Sequence, residues 1–320
     1  MELMPEQVDR ARGVLLGAAV GDALGAGYEF GSAELPPDGW PQMIGGGLGG
    51  FEPGEWTDDT AMTWAVADAA ARGLDLRTPA GLDVVAAHFR EWYDTDPADI
   101  GINVRAVLAA AGPHPTAAAM TAAAEERHRA TGRTGANGSL MRTSPVALAY
   151  LDDPAGLVDA ARSVSRLTHP DPRAQEACVL WCLAIREAVL SGGWPDVRTG
   201  LAALDAEARA FWAARVEEAE REDPGAFAPN GYVVTALQAA WAAIQQAPEM
   251  GMVKGRTVNA VLATAIRIGD DTDTVASIAG ALIGAWAGRS AIQRTELLHG
   301  YPGLTATDLD ALTLRILGIG

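Results

Sequence analysis

The chain has 320 residues, 49% of them hydrophobic, which is enough for a sizeable core in one large domain or two ordinary ones. Its formal net charge of −17 argues against a nucleic-acid binder, which would need a basic face. The amino-terminal stretch lacks the basic start of a signal peptide. The apolar run 13–24 is short and broken by Asp22, so a cytoplasmic protein without a membrane span is expected.

Val8 to Gly25 reads as a first helix. Gly17, Gly21, Gly25 and Gly27 recur at or near helical spacing, where small residues let another backbone approach closely. Asp22 sits among them, either as a buried hydrogen-bonding or capping carboxylate or as part of a site. Glu29 follows just past the helix. Residues 31–55 form a loop with Pro36-Pro37, Gly45-Gly46-Gly47 and Gly49-Gly50. A structureless segment this long in a compact protein is usually functional or mobile, so a flap over the residues that follow is expected. The triple glycine has no Lys-Ser/Thr after it and no strand before it, which excludes a nucleotide loop.

Trp56-Thr57-Asp58-Asp59-Thr60 opens a helix over Ala61–Ala71. Leu82–Asp94 is amphipathic through Val85, Phe89 and Trp92, with His88 at its surface or core edge. Asp99 lies in a loop running into the next helix, and an N-cap is its plain reading. Thr116–Arg129 is helical. After it, Gly135, Asn137, Gly138 and Ser139 open a turn or helix with free N–H groups, the physics of an anion site, and Arg142 adds charge. Gly-Asn-Gly is also an ordinary turn. Leu157–Leu167 is helical and is broken at Thr168-His169-Pro170, where His169 is structural or lines a pocket.

Ala174–Ser191 is a long apolar helix. Its Cys178 and Cys182 are four apart, a poor disulfide geometry, and read as buried free thiols. The segment 194–222 suggests two mostly exposed helices. Tyr232 stands in the first turn of a helix that begins at Gly231, Val258–Ile268 forms another, and Leu304–Leu317 is the last. No stretch alternates as a sheet would, so an all-α single domain spanning 1–320 is expected.

The remaining segment organises the rest. Gly269-Asp270-Asp271-Thr272-Asp273-Thr274 carries side-chain oxygens at five of its six positions and precedes the apolar stretch Val275–Gly288. Capping explains one such oxygen, because one side chain accepts one or two N–H groups of a first turn. Packed carboxylates repel one another unless a cation lies between them. Two Thr/Asp clusters far apart in sequence, each at a helix start, suggest one composite site for a hard cation such as Mg, Mn or Ca.

Several segments together resemble the ADP-ribosylglycohydrolase family over nearly the whole chain. They are Gly21-Asp22-Ala-Leu-Gly25 with Glu29, Trp56–Thr60, Asp99-Ile-Gly101, Gly135–Ser139 with Met141-Arg142, Thr168-His169, Gly231-Tyr232 and Gly269–Thr274. The resemblance implies an all-α hydrolase with two Mg²⁺ or Mn²⁺ ions that cleaves ADP-ribose from a modified acceptor. Thr57, Asp58, Asp59, Asp271, Asp273 and Thr274 would be the ligands and Asp273 the bridge. Two octahedral ions need roughly twelve ligand positions, so water and ribose hydroxyls would complete the shells. Asn137, Gly138, Ser139, Met141 and His169 would line the ADP-ribose groove, and Tyr232 would stack on adenine or ribose. Asp99 and Glu29 are the two acid/base candidates. Asp99 matches the arginine-directed branch and Glu29 the serine-directed one. The start Gly21–Phe30 favours ADP-ribosyl-arginine on protein, although Ile102 stands where that branch has a polar Asn. Serine-, nucleic-acid- or small-molecule-linked ADP-ribose and a catalytically silent binding relative are the alternatives. A phosphohydrolase fits less well, because the motifs contain no further basic cluster.

Overall fold

A computed structural model describes residues 2–36, 39–248 and 253–319; Met1, Pro37, Asp38, residues 249–252 and Gly320 lie outside the described residues. The described chain is built from α1 (Pro5–Gly25), α2 (Asp58–Ala71), α3 (Pro79–Tyr93), α4 (Ile102–Ala111), α5 (Ala117–Thr131), α6 (Ser144–Ala149), α7 (Pro154–Arg166), α8 (Pro172–Ser191), α9 (Ala206–Arg221), α10 (Val233–Gln246), α11 (Lys254–Ile268), α12 (Thr272–Ala287) and α13 (Ala306–Ile316). The all-α expectation holds, with one small departure. His299–Gly300 and Leu304–Thr305 pair as a two-stranded antiparallel hairpin, so the last helix begins at Ala306 and not at Leu304. Of the two helices expected over 194–222, the first is a short 3-10 segment, Val197–Ala203. The second, α9, buries Trp212 completely.

Four helices start two or three residues earlier than their apolar periodicity indicates. Pro5, Pro79, Pro154 and Pro172 each occupy the first turn, where the missing N–H costs nothing and the fixed φ suits a helix. In three of them the residue before the proline is a side-chain cap: Thr78, Asp153 and Asp171.

The centre of the fold is the pairing of α1 with α12. Nearly every residue of α12 is buried, as is every residue of α1 from Gly13 onward, so neither helix needs a polar face. A Cβ on Gly13, Gly17 or Gly21 would overlap the backbone of Gly284, Gly280 or Ala276 in turn, and one on Gly25 would lie 2.5 Å from the Cα of Asp273. The glycine seam read from the sequence is therefore a backbone-to-backbone contact, and it ends at the acidic cluster. Cys178 and Cys182 are buried free thiols, as expected. No described helix is long and apolar enough to cross a membrane.

Candidate active site

The first turn of α12 is shaped by a tight reversal. Gly269 and Asp270 both take positive φ, +82° and +66°, which turns the chain from α11 into α12. Asp270 is used up in holding that turn: its Oδ2 accepts the Asn230 N–H (2.9 Å) and its carbonyl accepts the Phe30 N–H (2.8 Å). Asn230, fully buried, closes the other side by accepting the Asp271 N–H and donating to the Gly269 carbonyl. Asn137 Nδ2 donates to Asp271 Oδ2 at 2.7 Å and orients that carboxylate.

The first turn of α2 is held from α1. Asp22, wholly buried, accepts from the Thr57 N–H (3.0 Å), the Thr60 N–H (2.9 Å) and Thr60 Oγ1 (2.5 Å). It fills the hydrogen-bonding role, capping a helix other than its own, and its carboxylate also belongs to the acidic cluster. The two acidic clusters do meet. Thr274 Oγ1 of α12 donates to Asp59 Oδ2 at 3.1 Å, and Thr57 Oγ1 lies 3.3 Å from the same oxygen. Asp99 is not an N-cap, because Gly101 fills that position for α4 without a side-chain bond. It faces the acidic cluster instead.

These carboxylates act on one another. Burial, then the charges of Asp99 and Asp22, push Asp58 well above the usual range. Burial, then Asp22 and Asp58, do the same to Asp59, and burial, then Asp59 and Asp271, to Asp273. Glu29 is raised to about 8 by burial and by Asp99 and Asp271, and Asp22 to about 6 by burial. Asp99 and Asp271 are raised for the same reasons, burial first. Asp59 Oδ1 and Glu29 Oε2 are buried oxygens without a hydrogen-bond partner among the described residues. Two sets of carboxylate oxygens, Asp22–Asp59–Asp273 and Glu29–Asp99–Asp273, each lie within 4.8 Å of one another and have Asp273 in common. Orphaned, mutually repelling, all-oxygen donors fit hard divalent cations.

That arrangement fixes the sign of a pH effect. Carboxylates raised in the folded state bind protons that the unfolded chain releases near pH 4. These groups therefore favour the metal-free fold most below about pH 4, and their contribution is lost as pH rises through about 6 for Asp22 and about 8 for Glu29. Mn²⁺ or Mg²⁺ should reverse the slope, because the ligands must be deprotonated to bind. At a hundred times Kd the ion contributes about 2.7 kcal/mol, which corresponds to roughly 5 °C in Tm. Thermal scans with EDTA and with Mn²⁺ from pH 5 to 8 check this; a Mn²⁺ shift that shrinks with rising pH would count against a carboxylate metal site.

The acidic cluster lines a cavity of about 650 Å³. Glu29, Asp58, Asp99, Asp271, Asp273 and Thr274 belong to its lining, together with Asn137, Gly138, Met141 and His169. Four predicted residues stand elsewhere. Thr57 and Asp59 are bonded to one another outside this lining, and Thr57 lines a smaller neighbouring cavity with Asp58 and Asp99. The Ser139 side chain turns into the core, bonded to Ser165 Oγ (2.9 Å), so only its backbone is available to a ligand. Tyr232 is half-exposed at the edge, its backbone bridged to Ala136.

Arg142 corrects the sequence reading. It is wholly buried, 4.7 Å from the Phe89 ring, and does not line the cavity. The basic groups at the cavity are Arg127 and Arg133, which no motif contains. Arg127 Nε donates to Asn103 Oδ1 at 2.7 Å, and Asn103 Nδ2 donates to the Thr168 carbonyl at 2.7 Å. Asn103, which the sequence offers one place after Ile102, supports Arg127 from the side, while Asn230 was missed, because a single asparagine carries no spacing signal. The loop 31–55 contributes Leu48 to the lining, next to Phe30 and Ile102; the three apolar side chains are 59%, 54% and 83% exposed. His88 is more buried than expected and pairs with Asp68 (2.8 Å) and Glu91 (3.0 Å), away from the cavity.

A helical protein whose two central helix starts join carboxylates in the lining of a large cavity has the build of a hydrolase site. Residues 4–319 match the family model described as ADP-ribosylglycohydrolase. The chain belongs to the ADP-ribosylglycohydrolase family and is a hydrolase of that class. It is 29% identical over 297 residues to the ADP-ribosyl-[dinitrogen reductase] glycohydrolase of Rhodospirillum rubrum, covering 89% of this chain and 87% of that protein. It is 30% identical over 298 residues to the ADP-ribosylarginine hydrolase Tri1 of Pseudomonas putida (strain GB-1), covering 90% and 73%. A solved ADP-ribosylglycohydrolase-related protein complex matches with a TM-score of 0.67 and 30% identity, over 99% of both chains.

Proposed function

We propose that this protein hydrolyses the bond between ADP-ribose and an arginine side chain of a modified protein, as a single-domain cytoplasmic enzyme with two Mg²⁺ or Mn²⁺ ions. The observation that carries the reading is one cavity lined by two unlike kinds of group: carboxylate sets that share Asp273, and Arg127, Arg133 and His169. ADP-ribose has the matching polarity, with ribose hydroxyls for metal ions and a diphosphate for cationic and N–H donors.

Thr57, Asp58, Asp59, Asp271, Asp273 and Thr274 would hold the ions, with Asp273 shared. When bound, the ions would orient the ribose 2″ and 3″ hydroxyls and lower the pKa of a bound water. Asp99 handles the proton. In the hydrolysis a water oxygen forms a bond to C1″ as the bond from C1″ to the guanidine nitrogen breaks. The guanidine leaves with a proton from the Asp99 carboxyl, and the carboxylate takes one from the water. Burial and the charge of Asp271 raise the Asp99 carboxyl, which lets it hold that proton nearer neutrality. Carboxylates around C1″ stabilise the positive charge that builds on the sugar. Phe30, Leu48 and Ile102 at the rim would meet the acceptor protein.

The test is ADP-ribose release from arginine-, serine- and nucleic-acid-linked substrates with Mn²⁺, Mg²⁺ or EDTA. Release from the arginine conjugate alone, abolished by EDTA, is the expected result. Release from serine alone would transfer the reading to the serine-directed type. ADP-ribose binding without release from any substrate would make the protein a reader.

A further inference from the structure

We propose that Arg142 and Thr168 are positioning residues that fix His169 as a neutral imidazole with its proton on Nε2, aimed at an anionic oxygen in the cavity. The proposal rests on the reading that the part of the cavity beside His169 and Gly138 takes the diphosphate of ADP-ribose. Arg142 has no exposed surface, and the groups that contact it among the described residues are neutral: the Val164 carbonyl (3.2 Å), Thr168 Oγ1 (2.7 Å), Met62 Sδ (3.9 Å) and the Phe89 ring. Among the described residues no carboxylate pairs with it directly, Asp58 acting only through space, so holding a guanidinium there is costly.

A guanidinium only donates hydrogen bonds, so Thr168 Oγ1 accepts from Arg142. The same oxygen lies 2.7 Å from His169 Nδ1. Thr168 is wholly buried, and these are the partners of its hydroxyl among the described residues. The hydroxyl proton therefore has one acceptor, His169 Nδ1. Had Nδ1 carried a proton itself, the hydroxyl hydrogen would be buried without a partner. With Nδ1 as acceptor, the neutral ring carries its proton on Nε2.

The ring is aimed accordingly. A Cβ on Gly138 would sit 3.2 Å from His169 Cε1 and 3.4 Å from Nε2, so the Nε2 edge lies beside Gly138, and both residues line the cavity. Burial, then the charges of Arg142 and Arg127, hold the imidazole well below its usual pKa and keep it neutral. Asn103 completes the support by bonding the Thr168 carbonyl and Arg127 at once. Two donors of different kinds, the His169 Nε2–H and the Arg127 guanidinium, then border one anion position.

The tautomer is directly measurable. In protein with ¹⁵N-labelled histidine, a long-range ¹H–¹⁵N spectrum should show His169 with its proton on Nε2 and a bare Nδ1 at pH 6 and pH 8. The His169→Gln spectrum assigns the signal. Thr168→Val should lose that single tautomer and bind ADP-ribose about tenfold more weakly in Mn²⁺. Thr168→Ser, which keeps the hydroxyl, should retain both the tautomer and the affinity. A proton on Nδ1 in the wild type, or a Thr168→Val protein with unchanged tautomer and affinity, would overturn the proposal. The spectra are recorded without ligand, so wild-type protein that fails to bind ADP-ribose would sink the functional reading and leave the tautomer result standing on its own.

Discussion

Asp273→Asn is expected to lower turnover of an ADP-ribosyl-arginine substrate by about a thousandfold or more, the scale set by lost electrostatic and acid–base catalysis. The reason is topological. Asp273 belongs to both carboxylate sets, so one neutralised carboxylate weakens both sets at once. Its backbone is fixed by the glycine seam, with Gly25 against its Cα, so the cluster cannot shift to compensate. The same substitution should raise the Tm of metal-free protein, because it removes a buried charge held against Asp59 and Asp271. It should also abolish the Mn²⁺-dependent rise in Tm. This pair of opposite stability effects separates a metal ligand from a merely structural aspartate, whose loss would lower Tm with and without Mn²⁺. A variant that keeps the Mn²⁺ shift would remove Asp273 from the site.

What the sequence could convey was whatever repeats or clusters locally. Gly17, Gly21 and Gly25 lie one helical turn apart, and three oxygen-bearing residues in a row at Thr57–Asp59 exceed what capping needs, so the seam and both acidic clusters were legible. Helix ends were less so, since Pro5, Pro79, Pro154 and Pro172 start helices ahead of any apolar periodicity. Orientation was not legible at all. Arg142 follows an anion-binding sequence pattern, yet its side chain turns into the core against Phe89, and Ser139 turns the same way. Arg127 sits on a helix whose other charges, Glu125, Glu126 and Arg129, form surface pairs, so its aim into the cavity depends on where α4 and Asn103 fall beside it. The roles of Asn103 and Asn230 are likewise set by chain segments more than twenty residues away.

The two acid/base candidates make the second large prediction. Asp99→Asn should reduce kcat about 10²- to 10⁴-fold while leaving ADP-ribose affinity nearly unchanged, and Glu29→Gln should cost far less on an arginine substrate. The geometry distinguishes them. Asp99 lines the main cavity and also a smaller one of about 340 Å³ walled by Trp56, Trp92 and Tyr301, so its carboxylate stands between two spaces that can receive the two products of cleavage. That second space also presents Glu55 and Asp58, and acidic and aromatic walls suit a planar cation such as guanidinium. Glu29 is buried with one oxygen unpartnered, a position that suits completing a metal shell better than reaching a leaving group. The decisive comparison is kcat and ADP-ribose affinity for both variants on arginine- and serine-linked substrates. A large kcat loss in Glu29→Gln with an active Asp99→Asn would exchange the two roles, and the proton transfer would then have to be made from the metal side of C1″.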